Sequence, residues 1–309
     1  MRLTWLGWAG AELEAGGATM VVDPLEDAGA VFAPLGERTA GMPLPQVVPP
    51  SAGRAVAGLV THLHRDHADA RALTAALAPG APVLEPLAGG GDALEELALA
   101  QAEHELAAAG LDRRRVAPWE SVTAGPFTLT ALPASDGVGD PQVAWLIDAE
   151  GVRVLHLGDT MFHGYWWRMA HRHGPFDVVL VPVNGAVVSF PHRRPASPLP
   201  VALDPAHAAI AAEILGARLA IPIHAEGYEI DGIYQPVPDA AERFAAAAAE
   251  RGVPVRILDA GETIEIDRPI QSAGGDPAAA RDDRRIAGPR STAPGAPESR
   301  GLRQPEPAV

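Results

Sequence analysis

The segment Thr61-His62-Leu63-His64-Arg65-Asp66-His67 places three imidazoles and a carboxylate together, directly after an apolar run. Imidazole nitrogen and carboxylate oxygen are preferred donors for zinc and similar divalent ions. At the end of a strand, His62 and His64 stand two residues apart and can point the same way. Asp66 and His67 lie a turn further on and can serve an adjacent second ion. The alternative is a solvated polar loop.

The rest of the composition narrows the chemistry. The 309 residues include no cysteine and no lysine, so every basic residue is arginine. That excludes disulfides, thiolate zinc or iron–sulfur sites and a cysteine nucleophile. It also excludes Schiff-base lysines and the phosphate-binding loop that ends in lysine. Carboxylate, imidazole, hydroxyl and any metal they hold remain. The net charge of −15 opposes general nucleic-acid binding, which depends on neutralising phosphates. With 47% hydrophobic and 20% charged residues the chain can build a sizeable core. No apolar run approaches the roughly 18 residues of a membrane span. The opening Met1-Arg2-Leu3-Thr4-Trp5 enters a strand-like run with no signal core. A cytoplasmic protein with a small-molecule substrate, no nucleic-acid partner and no membrane span is expected, and self-association is left open.

The positioning elements follow from apolar patterning and turn residues. Strands are predicted at Arg2–Trp8, Ala11–Glu14, Thr19–Asp23, Ala55–Thr61 and Pro82–Leu87. A second group follows at Glu120–Val122, Phe127–Ala131, Gln142–Ile147 and Arg153–Leu157. Helices are expected at Ala68–Leu77, Asp92–Ala108, Phe162–His173, Pro205–Leu215 and Asp239–Arg251. Strands Asp177–Val183, Leu219–Ile223, Val255–Asp259 and a last hairpin strand, Thr263–Ile266, alternate with the later helices. This order implies an α+β protein of two packed sheets with helices outside. The Pro/Gly-rich stretch Glu26–Gly53 is too long for an ordinary connection, which marks it as functional or disordered. Residues 1–270 read as one domain and residues 271–309 as a disordered Pro/Gly/Ala/Arg-rich tail. The tail holds six arginines against five acids, so the acidity belongs to the body.

The pattern His-x-His-x-Asp-His after a strand resembles the metallo-β-lactamase superfamily of metal-dependent hydrolases. Three further segments match in the family's order. Thr4-Trp5-Leu6-Gly7-Trp8-Ala9-Gly10 followed by Val21-Val22-Asp23-Pro24 is similar to the first hairpin of its ascorbate-6-phosphate-lactonase-like branch. Leu157-Gly158-Asp159-Thr160 matches the segment whose aspartate bridges two metals, and Ile221-Pro222-Ile223-His224 the strand whose histidine closes the second site. The resemblance implies a four-layer αββα sandwich of two mixed sheets. It also implies one or two divalent ions, zinc first, with manganese or iron as alternatives.

One ion would then sit on His62, His64 and Asp136, the other on Asp66, His67 and His224, with Asp159 between them. Asp136 is the departure. Relatives place a histidine there, whereas this chain reads Pro133-Ala134-Ser135-Asp136-Gly137. A carboxylate can take the role; the other reading is an Asp-Gly turn, which would leave one site incomplete. Trp8 stands where many of the branch carry histidine, and is expected to pack near the site. The implied reaction is attack by metal-activated hydroxide on an ester, lactone or phosphodiester bond. Asp66 and Asp159 are the catalytic carboxylates, Asp66 orienting the nucleophile and moving its proton. A phosphodiesterase or nuclease, and a scaffold that binds metal without turnover, are the alternatives.

The other polar candidates have plainer readings. His163 either touches substrate or orients a metal ligand from behind, or else lies on the surface. His171, Arg172 and His173 suit a helix C-terminus, and His207 follows the helix start Asp204-Pro205. His156 belongs to a strand and His104 to a helix surface. Pro191-His192-Arg193-Arg194-Pro195 is a solvated loop that could instead receive an anion. Asn184-Gly185 reads as a turn.

Overall fold

The computed structural model describes residues 1–32, 44–89, 97–191, 193–225 and 229–267. The expected tail, the centre of the 26–53 stretch, the first turn of the expected 92–108 helix and His192 lie outside the described residues.

Two large mixed sheets form the body. The first takes β1 (Arg2–Gly7), β2 (Gly10–Ala15), β3 (Ala18–Val22), β4 (Ala55–Leu59), β5 (Val83–Pro86), β6 (Arg113–Val116) and β15 (Thr263–Glu265). Their spatial order is β15-β1-β2-β3-β4-β5-β6. The second takes β7 (Ser121–Ala124), β8 (Phe127–Pro133), β9 (Val143–Ala149), β10 (Val152–His156), β11 (Val178–Pro182) and β13 (Ala220–Ile223). Its order is β13-β11-β10-β9-β8-β7. Each sheet begins as an antiparallel meander and turns parallel, at β3–β4 in the first and β10–β11 in the second. A short ribbon pairs β12 (Val187–Val188) with β14 (Tyr234–Gln235).

Alternation along the strands explains the layers. In β9, Val143, Trp145 and Ile147 face the other sheet, where they meet Leu3, Leu13 and Leu59. The intervening Ala144 and Leu146 face helices. β11 does the same, with Val178 and Leu180 inward and Val179 and Val181 outward. Strands covered on both faces read as unbroken apolar runs. Outside the second sheet lie α4 (Trp166–His173), α5 (Pro205–Leu215) and α6 (Ala240–Glu250), whose Trp166, Met169, Leu215 and Phe244 join the outer core. Outside the first lie α2 (Ala70–Ala76) and α3 (Leu97–Ala108), through Leu73 and Leu106. The result is the expected αββα sandwich. Each fully buried large apolar side chain contributes about 1.5–3 kcal/mol, so packing between sheets decides where the strand ends fall.

Besides the short β12–β14 ribbon, the structure differs from the patterning in four places. Val255 makes only an isolated bridge to Ala220, so 255–259 is not a strand. β15 consequently closes on β1 rather than on a hairpin partner. β6 was not expected because three consecutive arginines hide it; Arg113 satisfies the buried Glu85 with two hydrogen bonds of 2.7 and 2.9 Å. The 26–53 stretch contains a short helix, α1 (Ala28–Phe32), whose Phe32 enters the inter-sheet core. α4 begins at Trp166 rather than at Phe162. No helix among the described residues is long and apolar enough to cross a membrane.

Candidate metal centre

Strand ends from both sheets converge on one place. His62 to His67 follow β4, Asp136 follows β8, Asp159 follows β10 and His224 follows β13. The His62 loop is pinned to the second sheet: Val143 N–H donates to the Thr61 carbonyl at 2.9 Å, and the Trp145 indole to the Val60 carbonyl at 3.0 Å. A tight turn, with His67 and Ala68 N–H both reaching the His64 carbonyl, folds Asp66 and His67 back beside His62 and His64. Ser135 N–H donates to Thr160 Oγ1 at 3.0 Å and Met161 N–H to the Ser135 carbonyl at 2.8 Å, locking the Asp136 loop to the Asp159 loop. Gly158 has φ +61°, and a Cβ there would lie 2.9 Å from Thr61 Cβ and Oγ1, so the approach of these loops requires glycine.

Two groups of donors result. His62, His64 and Asp136 offer ligand atoms within 4.8 Å of one another, as do Asp66, His67, Asp159 and His224. In the first, His62 Nε2 and His64 Nδ1 face each other at 2.9 Å. Their outer nitrogens are already engaged. Thr61 Oγ1 donates to Asp23 Oδ2 at 2.5 Å, so it receives the proton of His62 Nδ1, 3.0 Å away. His64 Nε2–H donates to Asp140 Oδ2 at 2.8 Å. Two lone pairs are thereby aimed at one another, which is stable only with a proton or a cation between them. Asp136 Oδ2 lies 3.9 Å from His64 Nδ1, while its Oδ1 accepts from Val138 N–H at 2.6 Å. One oxygen of Asp136 therefore makes the turn and the other faces the imidazoles.

In the second group Asp159 Oδ2 lies 3.2 Å from His67 Nε2 and 2.9 Å from His224 Nε2. Asp66 Oδ2 lies 3.6 and 3.7 Å from the same two nitrogens. His67 Nδ1–H is taken by Asp23 Oδ2 at 2.8 Å, which turns Nε2 toward the carboxylates. His67 Nε2 and Asp159 Oδ1 are buried and without a hydrogen-bond partner among the described residues. Such orphaned polar atoms cost free energy unless something binds them. The site also concentrates backbone strain, since Trp8 (φ 53°), Asp23 (φ 44°) and His224 (φ 49°) adopt the left-handed conformation. Each such residue costs about 1–3 kcal/mol, a pattern associated with functional sites.

Electrostatics point the same way. Burial, reinforced by His67 and His64, holds the His62 pKa well below its ordinary value, so that ring is neutral. Burial works against charge on His64 too, but the Asp140 hydrogen bond and the Asp136 charge outweigh it and raise that group to about 9. His67 and His224 are raised against burial, chiefly by Asp159. Asp159 is held well below the carboxylate range by His224 and His67, and Asp66 by His67 and the His224 hydrogen bond, in both cases against burial. Burial raises Asp136. The pocket thus demands positive charge, and the donor set of imidazole and carboxylate fits a divalent cation such as zinc.

All seven sequence-predicted residues meet here: His62, His64, Asp66, His67, Asp136, Asp159 and His224. Three contributors were not singled out from sequence. Asp140 lies 76 residues from the histidine it orients. Asp23 had a signal, a carboxylate ending an apolar strand, and Thr61 had none. The plainer readings hold for His156, which spans the Ala9 carbonyl (2.7 Å) and Gly158 N–H (3.2 Å), and for His207, whose N–H is capped by Asp204 at 2.8 Å. His171, Arg172 and His173 form the last turn of α4. His163 stacks on Trp166 at 3.9 Å, and burial lowers its pKa to about 4. Asn184 is not a plain surface turn: it is fully buried and donates to the Tyr234 hydroxyl at 2.7 Å. Arg193 is half-buried and donates to the Val138 carbonyl, beside Asp136, rather than standing in solvent.

Comparison with known proteins agrees with this geometry. A family model described as the beta-lactamase superfamily domain matches residues 19–225. A curated protein of Opitutus terrae named UPF0173 metal-dependent hydrolase is 30% identical over 86% of this chain and 100% of its own. Among solved structures, the metallo hydrolase Igni18 of Ignicoccus hospitalis aligns over 85% of this chain and 97% of its own, with 18% identity and TM-score 0.55. CmlA of Streptomyces venezuelae, a diiron β-hydroxylase, aligns over 85% of this chain and 53% of its own, with 17% identity and TM-score 0.63. At these identities the two structures show a shared fold only.

Proposed function

The chain belongs to the beta-lactamase superfamily, and on that premise we propose that it is a metal-dependent hydrolase of small molecules whose residues 1–270 form the catalytic unit. His62, His64 and Asp136 would hold one divalent ion, Asp66, His67 and His224 a second, and Asp159 would lie between them. The observation that carries this reading is that His62 Nε2 and His64 Nδ1, their outer nitrogens already tied, face each other at 2.9 Å, an arrangement that needs a proton or a cation between them. Zinc is the first ion to test, with manganese and iron next. Such ions supply a water pKa near 7 and polarise a carbonyl or phosphoryl oxygen.

The chain's own residues do the positioning. Thr61, Asp140 and Asp23 fix the ring orientations of His62, His64 and His67 from behind, as outer partners of ligating imidazoles do. Asp159 Oδ2 faces His67 and His224, its Oδ1 is buried without a partner among the described residues, and its charge also acts on His62 and Asp136 of the first group, which supports a role for it at both ions. Asp66 has Oδ2 engaged by Trp8, which leaves Oδ1 to orient the nucleophile and pass its proton to the leaving oxygen.

The substrate class is an ester, lactone or phosphodiester. The likeness of residues 4–24 to the lactonase-like branch puts a lactone first, and likeness alone does not decide it. The net charge disfavours long nucleic acids. The test is metal analysis with a substrate panel. Protein purified at near-neutral pH is expected to retain one to two equivalents of metal. It is also expected to hydrolyse at least one lactone, ester or phosphodiester, with loss on chelation and recovery on adding Zn²⁺ or Mn²⁺. Protein that retains no stoichiometric metal and binds none on addition would sink the proposal.

A further inference from the structure

We infer that Trp8 is the positioning residue of the second cation site, fixing two of its ligands with one side chain. The inference rests on the two-ion reading above.

Every other imidazole in the centre has its outer nitrogen tied: His62 to Thr61, His64 to Asp140 and His67 to Asp23. His224 does not, for its Nδ1 is buried with no hydrogen-bond partner among the described residues. Its ring is held by another means. The Trp8 indole lies against it with centroids 3.9 Å apart and planes at 44°. The same indole donates its N–H to Asp66 Oδ2 at 2.9 Å. A carboxylate 3.6–3.7 Å from two imidazole nitrogens and close to a second carboxylate needs such a fixed donor to keep one orientation.

Trp8 is itself firmly placed, so it can transmit order. It is 1% exposed and backed edge-on by Phe32 at 5.6 Å. Its carbonyl accepts His224 N–H at 3.0 Å, and the neighbouring Ala9 carbonyl accepts His156 Nε2–H at 2.7 Å, so two residues of the second sheet grip this turn of the first. Gly7 supplies the entry at φ +90°, where a Cβ would lie 1.9 Å from the Gln46 carbonyl oxygen. Packing alone would be served by any large apolar ring. The N–H aimed at Asp66 is what requires an indole or an imidazole.

The test compares wild type with Trp8→Phe and Trp8→His by Zn²⁺ titration and metal analysis, together with the ¹H–¹⁵N resonance of the Trp8 indole, assigned in wild type by nuclear Overhauser contacts to the Phe32 and His224 rings. Removing outer partners of ligands costs about 10–100-fold in metal affinity. Trp8→Phe is expected to weaken the second equivalent by that factor and leave the first unchanged. Trp8→His, which restores a donor, should recover part of it. In wild type the indole resonance should shift as the second equivalent binds. Trp8→Phe taking up both equivalents with wild-type affinity would overturn the inference. An indole resonance unmoved by the second equivalent would do so as well, even if both variants fail to fold. Wild type that binds no second equivalent would instead count against the two-ion reading itself.

Discussion

The group His62, His64 and Asp136 draws on two loops and has a single carboxylate, whereas Asp66, His67, Asp159 and His224 draw on three and have two. Their support differs as well. Asp23, Trp8 and the strand-end backbone hold the second group from several directions. In the first, Asp136 follows β8 by three residues and spends one oxygen on its own turn. A site assembled from many strand ends is fixed by the core beneath it. A site completed by a loop residue is the one in which ligand identity can drift, and Asp136 is the loop residue of the first group. Metal stoichiometry should therefore fail first at Asp136.

That contrast can be broken by experiment. The largest effect belongs to Asp159, the carboxylate proposed to lie between the two ions. Asp159→Ala is expected to abolish metal binding at both and to lower kcat/KM by about 10³-fold or more, since several kcal/mol of stabilisation disappear. Retention of one tightly bound equivalent, read by metal analysis, would show that the groups are independent.

Next is Asp136. Asp136→Asn should weaken one equivalent by about 10–100-fold and spare the other. Asp136→His should restore it if the first group tolerates either donor. Loss of both equivalents in Asp136→Asn would erase the distinction between an over-determined site and a loop-completed one.

The smallest effect is in proton release. A protonated imidazole cannot ligate, so metal affinity must fall as pH falls. In the first group only His64 is raised, to about 9, while His62 is held neutral. In the second, both His67 and His224 are raised. Ion uptake should therefore release more protons at the second group than at the first, so that affinity falls more steeply at the second as pH falls. Titration in weakly buffered indicator solution measures both, and equal slopes would contradict the assigned charge states.

Much of the candidate centre was legible because its donors have no better use elsewhere. Three histidines and an aspartate after an apolar strand, and a Gly-Asp-Thr run after another, each announce a strand end facing a cleft. The fold class was legible through doubly covered strands such as β9 and β11. What stayed hidden were contacts made at long range. Asp140 reads as a loop acid until it meets His64, and Trp8 reads as packing until its N–H meets Asp66, 58 residues away. β6 was hidden for a related reason: its arginines look like a solvated run until Glu85 and Glu103 pair with Arg113.

By itself the amino-acid sequence determined the donor types, their grouping in sequence, the exclusion of thiol and lysine chemistry, and the pattern of apolar strands that builds two packed sheets. These are local properties, written in composition and period. Tertiary structure alone decided which nitrogen of each imidazole faces inward, that one oxygen of Asp136 is free to face His64, and that one indole serves both Asp66 and His224. Those outcomes depend on where strand ends from two sheets meet, and that is set by burial of the core between them.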